Sequence, residues 1–186
     1  MTTATGDNLV GRTIRKHFPG HGGIYADSHL TFSKDTRSLS ELEDHDLLPF
    51  DALKFQLGAI MTAHISFSNI DKEIATFSRF WLQDILRNKI GFTGTIFSDD
   101  LSMKGTDYVG GIEAKVGKAL ESGCNMVLVC NDRPAAIEAI NFLEKEEISQ
   151  SHKITKLKAF QSISWADLEK DARRKDIIGK LKTIEK

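Results

Sequence analysis

Four short apolar runs, each carrying polar or ionisable residues toward its C-terminal end, constrain this chain more than any other feature. They are Thr13-Ile14-Arg15-Lys16-His17-Phe18, stopped by Pro19-Gly20; Ala59-Ile60-Met61-Thr62-Ala63-His64; Thr95-Ile96-Phe97-Ser98, opened by Gly94; and Met126-Val127-Leu128-Val129-Cys130. Each has the length of a strand, and amphipathic stretches separate them. Phe77, Phe80, Trp81, Leu82, Ile85 and Leu86 make one apolar helix face, with Gly91 a short way beyond as a stop. Val109 to Leu120 reads as a second helix, closed by Gly123. Pro134-Ala135-Ala136-Ile137 opens a third, with Asp132 as its N-cap. Lys153 to Phe160 and Trp165 to Ile184 read as terminal helices, so the region from about 149 to 186 is expected to be helical. Residues 19–47 are rich in Gly, Asp and Ser, and too long for a routine connection. Loops of that length in compact domains are usually functional.

Strand–helix–strand repetition implies a parallel sheet, and parallel α/β folds place their chemistry at the C-terminal ends of the strands. Four strands are half of what closes a barrel. The pattern alone leaves a half barrel and a small open α/β sheet equally open. At 186 residues the chain is expected to form one domain with its own core. Its 25 basic and 26 acidic side chains balance to a net charge of -1, which gives no footprint for nucleic acid or an anionic membrane. No apolar run approaches the ~18 residues of a membrane span. The opening Met1-Thr2-Thr3-Ala4-Thr5-Gly6-Asp7 has no apolar signal core, so the cytoplasm is the expected location. The two cysteines, Cys124 and Cys130, fit neither a zinc site nor a redox pair, and both are expected to be buried structural thiols.

Four polar sets fall at or beyond strand ends: Lys16-His17, Asp27-Ser28-His29, His64 and Asp99-Asp100. On a sheet with one strand direction they share a rim. An amine, imidazoles and carboxylates brought together there suit acid–base or nucleophilic chemistry. Each set also has a plainer explanation. Asp99 and Asp100 supply a nucleophile and a structural acceptor, or both cap the following helix. His29 beside Asp27 is a general acid favoured by the carboxylate, or the two are surface loop residues. Lys16 and His17 donate to substrate hydroxyls, or form a strand-end salt bridge. His64 lines the site, or is a satisfied, half-buried histidine. No ligand spacing such as His-Glu-x-x-His supports a metal.

The residues also match something specific. Lys16-His17-Phe18-Pro19-Gly20-His21-Gly22 followed by Ala26-Asp27-Ser28-His29 resembles a motif of glycoside hydrolase family 3 β-N-acetylhexosaminidases of the NagZ type. Leu86-Arg87, Gly91-Phe92-Thr93-Gly94 and Ile96-Phe97-Ser98-Asp99-Asp100-Leu101-Ser102-Met103 resemble the family's nucleophile motif. Met61-Thr62-Ala63-His64, Gly123-Cys124-Asn125-Met126-Val127-Leu128-Val129-Cys130-Asn131 and Ser164-Trp165-Ala166-Asp167-Leu168 are similar to the family as well. The likeness runs from about residue 13 to the C-terminus.

What the resemblance implies is a retaining glycosidase. Asp99 falls on the nucleophile, His29 on the general acid/base, and Asp27 on its dyad partner. Lys16 and His17 fall on contacts to sugar hydroxyls. Retaining glycosidases ordinarily pair two carboxyl groups and pass through a covalent glycosyl-enzyme; His29 takes the second carboxyl's place. An imidazole with a pKa near about 6.5 can give a proton and take one back near neutrality. The implied substrate is a saccharide with terminal β-linked N-acetylglucosamine, from cell-wall fragments, with peptidoglycan recycling as the pathway. No metal or organic cofactor is implied.

The resemblance also implies what this chain lacks. The family's catalytic domain is a (β/α)₈ TIM-type barrel of roughly twice this length, and the strands here correspond to its last four. An Ile-Asp-x-Glu-Gly-Gly-like motif and a sugar-binding arginine of the first half are absent from the sequence. The expected architecture is therefore the C-terminal half of that barrel, one partial catalytic domain over residues 1–186. A homodimer or a separate N-terminal half-barrel chain would complete it, since open parallel edges invite pairing. The competing reading is an inactive fragment, or a non-catalytic sugar-binding remnant.

Overall fold

The computed structural model describes residues 13–22, 33–157 and 164–184. Two compact units divide the chain, one over residues 12–158 and the other including residues 164–184. In the larger unit strands β1 (Thr13–Phe18), β2 (Ser33–Asp35), β3 (Leu57–Thr62), β4 (Ile65–Phe67), β5 (Thr95–Asp100) and β6 (Met126–Leu128) alternate with helices. The helices of this unit are α1 (Leu39–Asp44), α2 (Leu48–Leu53), a π-type helix at Phe80–Lys89, α3 (Ile112–Ser122), α4 (Arg133–Lys145) and α5 (His152–Thr155), with short 3-10 turns at Ala75–Phe77 and Lys104–Val109. The second unit contains α6 (Trp165–Lys170) and α7 (Ala172–Ile184), which meet at Asp171. The expected helix from Trp165 to Ile184 is thus two, because the backbone at Asp171 is extended.

The main sheet has the order β1-β3-β5-β6, and every pairing in it is parallel. Neighbours in the sheet follow in chain order, with a helical segment in each crossover. This is half of a (β/α)₈ ring of strands. Ala59 pairs with Thr95, Ile60 with Ile96 and Met61 with Phe97, so one side of β3 and β5 reads Ile60 and Ile96. That side packs against the helices, and both isoleucines are fully buried.

Aromatic side chains fill the space between sheet and helices. Phe18 meets Phe50 edge-on at 5.2 Å and Trp81 at 6.2 Å, and Trp81 lies 5.0 Å from Phe67. Edge-to-face contacts at such separations add about 0.5–1.5 kcal/mol beyond the area they bury. Trp81 stands on the π-type helix, whose last turn closes with the Ile90 N–H donating to the Ile85 carbonyl at 2.8 Å. Arg87 in that turn donates to the carbonyls of Phe92 and Gly94, both at 2.7 Å, and to Asn125 Oδ1 at 2.9 Å. Asn125 Oδ1 also accepts the Ile96 N–H at 2.9 Å, so the start of β5 is held from two sides. Burial pushes the Arg87 guanidinium down to about 10, as expected for a cation whose partners are neutral carbonyls.

The segment 19–47, expected as one long loop, contains β2 and α1. β2 pairs in parallel with β4, Ser33 opposite Ile65 and Asp35 opposite Phe67. Since β4 follows β3 almost directly, this two-stranded sheet joins the excursions after β1 and β3 above the C-terminal rim. α1 starts with a capping box: Ser38 Oγ accepts the Glu41 N–H, and the Glu41 carboxylate accepts the Ser38 N–H. Asp132 caps α4, accepting the Ala135 N–H at 3.0 Å. The expectation for the cysteines holds for Cys124, which is buried and has its thiol pushed up to about 12 by burial. It fails for Cys130, which is exposed, because β6 ends at Leu128 and the chain turns outward after it.

Candidate active site

Strand alternation separates two adjacent carboxylates at the end of β5. Asp100 is engaged by its surroundings. Its Oδ1 accepts the N–H groups of Ser102 at 2.9 Å and Cys130 at 3.0 Å, and its Oδ2 accepts the Ser102 hydroxyl at 2.8 Å. These bonds fix the turn after β5 to the end of β6. Asp99 differs. Its Oδ1 accepts the Asp100 N–H at 2.8 Å, and its Oδ2 lies 3.7 Å from His17 Nε2. The Asp99 and His17 side chains are 18% and 28% exposed, so a solute can reach both.

His17 comes from the end of β1, two strands away in the sheet. The chain there carries cis peptide bonds at Lys16–His17 and Phe18–Pro19. The His21 ring centroid is 5.5 Å from that of His17, so the turn after β1 brings a second imidazole to the rim. Lys16 is exposed, and among the described residues no ion pair includes it. Asp27, Ser28 and His29 lie outside the described residues.

The frame around this rim is charged and fixed. Arg37, two residues beyond β2, donates through Nη2 to Asp35 at 2.7 Å and through Nη1 to Asp46 at 2.6 Å. Asp46 packs against Gly20, where any Cβ would overlap the carboxylate, so the turn after β1 requires glycine there. The clamp therefore ties the residues just after β2 to the turn that carries Gly20. Burial alone would raise the Asp35 carboxyl, yet its bonds to Arg37 outweigh this and hold it below the ordinary carboxylate range.

His64 is 3% exposed and both ring nitrogens have partners. Nδ1 is 2.8 Å from the Thr76 hydroxyl and Nε2 is 2.9 Å from the Asp100 carbonyl. Thr62 adds its hydroxyl to Thr76 at 2.7 Å. Burial is the main influence on this ring and lowers its pKa, outweighing the attraction of Asp99. His64 thus stands behind the rim and does not line it. Of the residues singled out from sequence, the fold brings His17 and Asp99 together, with Asp100 and His64 as their support. His21, Arg37, Asp35, Asp46 and Thr76 were not singled out as site residues. His21 lay within the quoted motif, whereas nothing in the spacing of the other four pointed to the rim.

No helix among the described residues is long and apolar enough to cross a membrane. Among the same residues no cluster of three or more His, Cys, Asp or Glu side chains is placed to hold a metal ion.

Comparisons with known proteins bear on the family and the fold. The family profile described as "Glycosyl hydrolase family 3 N terminal domain" matches residues 4–159. A β-hexosaminidase of Idiomarina loihiensis is 43% identical over 160 residues, which span 85% of this chain and 48% of the relative. One of Pseudomonas aeruginosa is 46% identical over 143 residues, 77% of this chain and 43% of the relative. Among solved structures, NagZ from Neisseria gonorrhoeae superposes with a TM-score of 0.71 at 37% identity, covering 82% of this chain and 44% of that one. CbsA from Thermotoga neapolitana gives a TM-score of 0.66 at 33% identity, covering 77% and 34%. The chain spans about half the length of the curated relatives it matches.

Proposed function

The chain belongs to glycosyl hydrolase family 3, and on that premise we propose that it carries the nucleophilic half of a retaining β-N-acetylhexosaminidase. The reaction is hydrolysis of terminal, β-linked N-acetylglucosamine. Asp99 attacks the anomeric carbon as the glycosidic C–O bond breaks, which leaves a covalent glycosyl ester on the carboxylate. His29, paired with Asp27, gives its proton to the departing oxygen. The neutral imidazole then takes a proton from water, the water oxygen bonds to the same carbon, and the ester breaks to free the sugar and Asp99. Lys16 and His17 hold sugar hydroxyls. The observation that carries this reading is the unequal treatment of two neighbouring acids. Asp100 is filled by donors, while Asp99 keeps one oxygen at an accessible rim, 3.7 Å from His17. The C-terminal end of a parallel strand is where such folds place reacting groups.

The partner in this proposal is a complementary half-barrel, supplied either by a second copy of the chain or by a separate N-terminal half. The sugar source is peptidoglycan fragments undergoing recycling in the cytoplasm. Covalent labelling tests the chemistry directly. A fluorinated, activated N-acetylglucosaminyl reagent, with and without a complementary half-barrel from a relative, should add one sugar mass to Asp99. Asp99→Ala should abolish both labelling and any turnover of a chromogenic N-acetylglucosaminide. Labelling or turnover that survives in Asp99→Ala removes the assignment. Saturable sugar binding with neither labelling nor turnover in the reconstituted form leaves a binding module in place of an enzyme.

A further inference from the structure

We propose that His64 is a positioning residue: its Nε2–H holds the Asp100 carbonyl, and through that backbone aims the Asp99 carboxylate at the rim. The inference rests on the reading of Asp99 as nucleophile and adds to it the device that sets the carboxylate's direction.

The geometry runs through five groups. The paired register of β3 and β5 ends at Met61 and Phe97, so the last residues of β5, which still pair with β6 at Leu128, need another hold on the β3 side. The His64 side chain, just past β3, supplies it at 2.9 Å from the Asp100 carbonyl. A carbonyl only accepts, so the proton between them belongs to Nε2. From the β6 side the Cys130 N–H, and from the turn after β5 the Ser102 N–H, hold the Asp100 carboxylate. Asp100 is thereby fixed from both flanks, and its own N–H donates to Asp99 Oδ1. With that oxygen engaged, Oδ2 is the one left toward His17.

The other ring nitrogen sets the tautomer. In the neutral ring Nδ1 is an acceptor, and the Thr76 hydroxyl at 2.8 Å is its donor. The Thr62 hydroxyl, 2.7 Å from Thr76 Oγ1, then donates to Thr76 in turn. The Thr76 hydroxyl also lies 3.1 Å from the Ala63 carbonyl, which is where its proton would go if Nδ1 were itself protonated. Phe77 stacks along the ring at 6.3 Å. The charged groups that act on His64 are Asp99 and Asp100, which favour its cation, and Lys115, which opposes it. The ring is removed from water, and that dominates. A neutral imidazole can hold a carbonyl without setting a fixed positive charge behind the carboxylate it aims.

Nuclear magnetic resonance of the full chain, with ¹⁵N in the histidine rings, tests this without any turnover. His64 should show one protonated and one unprotonated nitrogen at neutral pH, with the proton on Nε2. The His17 ring signals report the contact with Asp99, and Asp99→Asn marks where they go when that contact changes. His64→Phe keeps a ring of similar volume and loses the donor, and its His17 signals should move toward the Asp99→Asn position. His64→Gln places an amide N–H near the Nε2 position and should bring them back toward wild type. A residue that merely fills the core would lower the melting temperature in His64→Phe and leave the His17 signals in place, which overturns the proposal. So does a His64 ring protonated on both nitrogens at neutral pH. If His64→Phe does not fold, Thr76→Val removes the partner of Nδ1 at constant volume. It should shift both His64 and His17, and unchanged signals in that variant overturn the proposal as well. Because no reading needs hydrolysis, an absence of covalent labelling would count against the proposed function and leave this result standing.

Discussion

Asp99 and Asp100 are the same side chain one residue apart, and their surroundings predict opposite consequences of removing them. Asp100→Ala strips an acceptor from the N–H groups of Ser102 and Cys130 and from the Ser102 hydroxyl. Losing such bonds costs about 1–3 kcal/mol, so this variant should melt at a lower temperature. Asp99→Ala loses one local bond to the Asp100 N–H and a longer contact with His17. Its melting temperature should stay near wild type while covalent labelling vanishes. A thermal melt of each variant beside the labelling assay checks the pair, and a large loss of stability in Asp99→Ala would contradict the division. The sequence alone offered two acids at a strand end and left both a catalytic and a capping explanation open. The choice depends on which N–H groups reach which oxygen, and those donors come from residues 102 and 130. Pattern along one strand does not reach that far. His64 shows the same limit. Its position after β3 was legible, but its direction, toward Thr76 and the Asp100 carbonyl, is set by neighbours 12 and 36 residues away.

At the scale of elements, the main strands and the helices after β3, β5 and β6 followed from apolar periodicity, while the rim did not. β2 and β4 have three residues each, too few for an alternation to register. α1 carried a readable start, since Ser38 and Glu41 stand three apart as a capping box requires. The polar composition of the surrounding segment masked it. The clamp of Asp35, Arg37 and Asp46 makes these short pieces one unit and carries a pH signature. The folded-state pKa of Asp35 lies below its ordinary value of 3.8. Its contribution is therefore fully present above that value and lost as pH falls through the folded value. Asp35→Asn should lower stability at neutral pH by about 2–3 kcal/mol and flatten the acid side of the stability curve. Denaturant melts between neutral pH and about pH 2.5 would show it; an unchanged acid limb removes the clamp from the account. Deeper in, Trp81 packs on Phe18 and Phe67, but its indole N–H is buried with no hydrogen-bond partner among the described residues. Trp81→Ala should cost about 3–5 kcal/mol. Trp81→Phe should cost clearly less, because it keeps a ring and removes the unpartnered donor. Equal losses in the two variants would mean that the N–H is satisfied in solution.

At the scale of the whole molecule, the main sheet of the described residues has four parallel strands where a closed barrel has eight. All-parallel sheets are normally covered on both faces, yet no described strand pairs with the outer side of β1 or β6. Ile14 on β1 and Met126 on β6 are 49% and 37% exposed. The register sets Ile14 beside Ala59, and Met126 beside Phe97 and so in line with Met61. These two edge residues belong to the face of the sheet opposite Ile60 and Ile96, the face that a complete barrel encloses. The match to less than half of each of these β-hexosaminidase relatives fits the same picture. Half a ring places Asp99 and His17 but only part of a wall around the rim they share. Orienting a bound substrate against a reacting group contributes on the order of 7–11 kcal/mol to rate enhancement. The isolated chain should therefore hydrolyse a chromogenic N-acetylglucosaminide very weakly or not at all. Adding a complementary half-barrel taken from a relative should raise turnover by orders of magnitude and bring the two chains into one complex. Mixing at varied ratios, with turnover and sedimentation measured on the same samples, joins the two observations. If activity instead rises with the square of the concentration of this chain alone, a second copy closes the ring. Turnover by the monomer at the level of a full-length relative would show that the four strands suffice, and that an open sheet does not make an incomplete site.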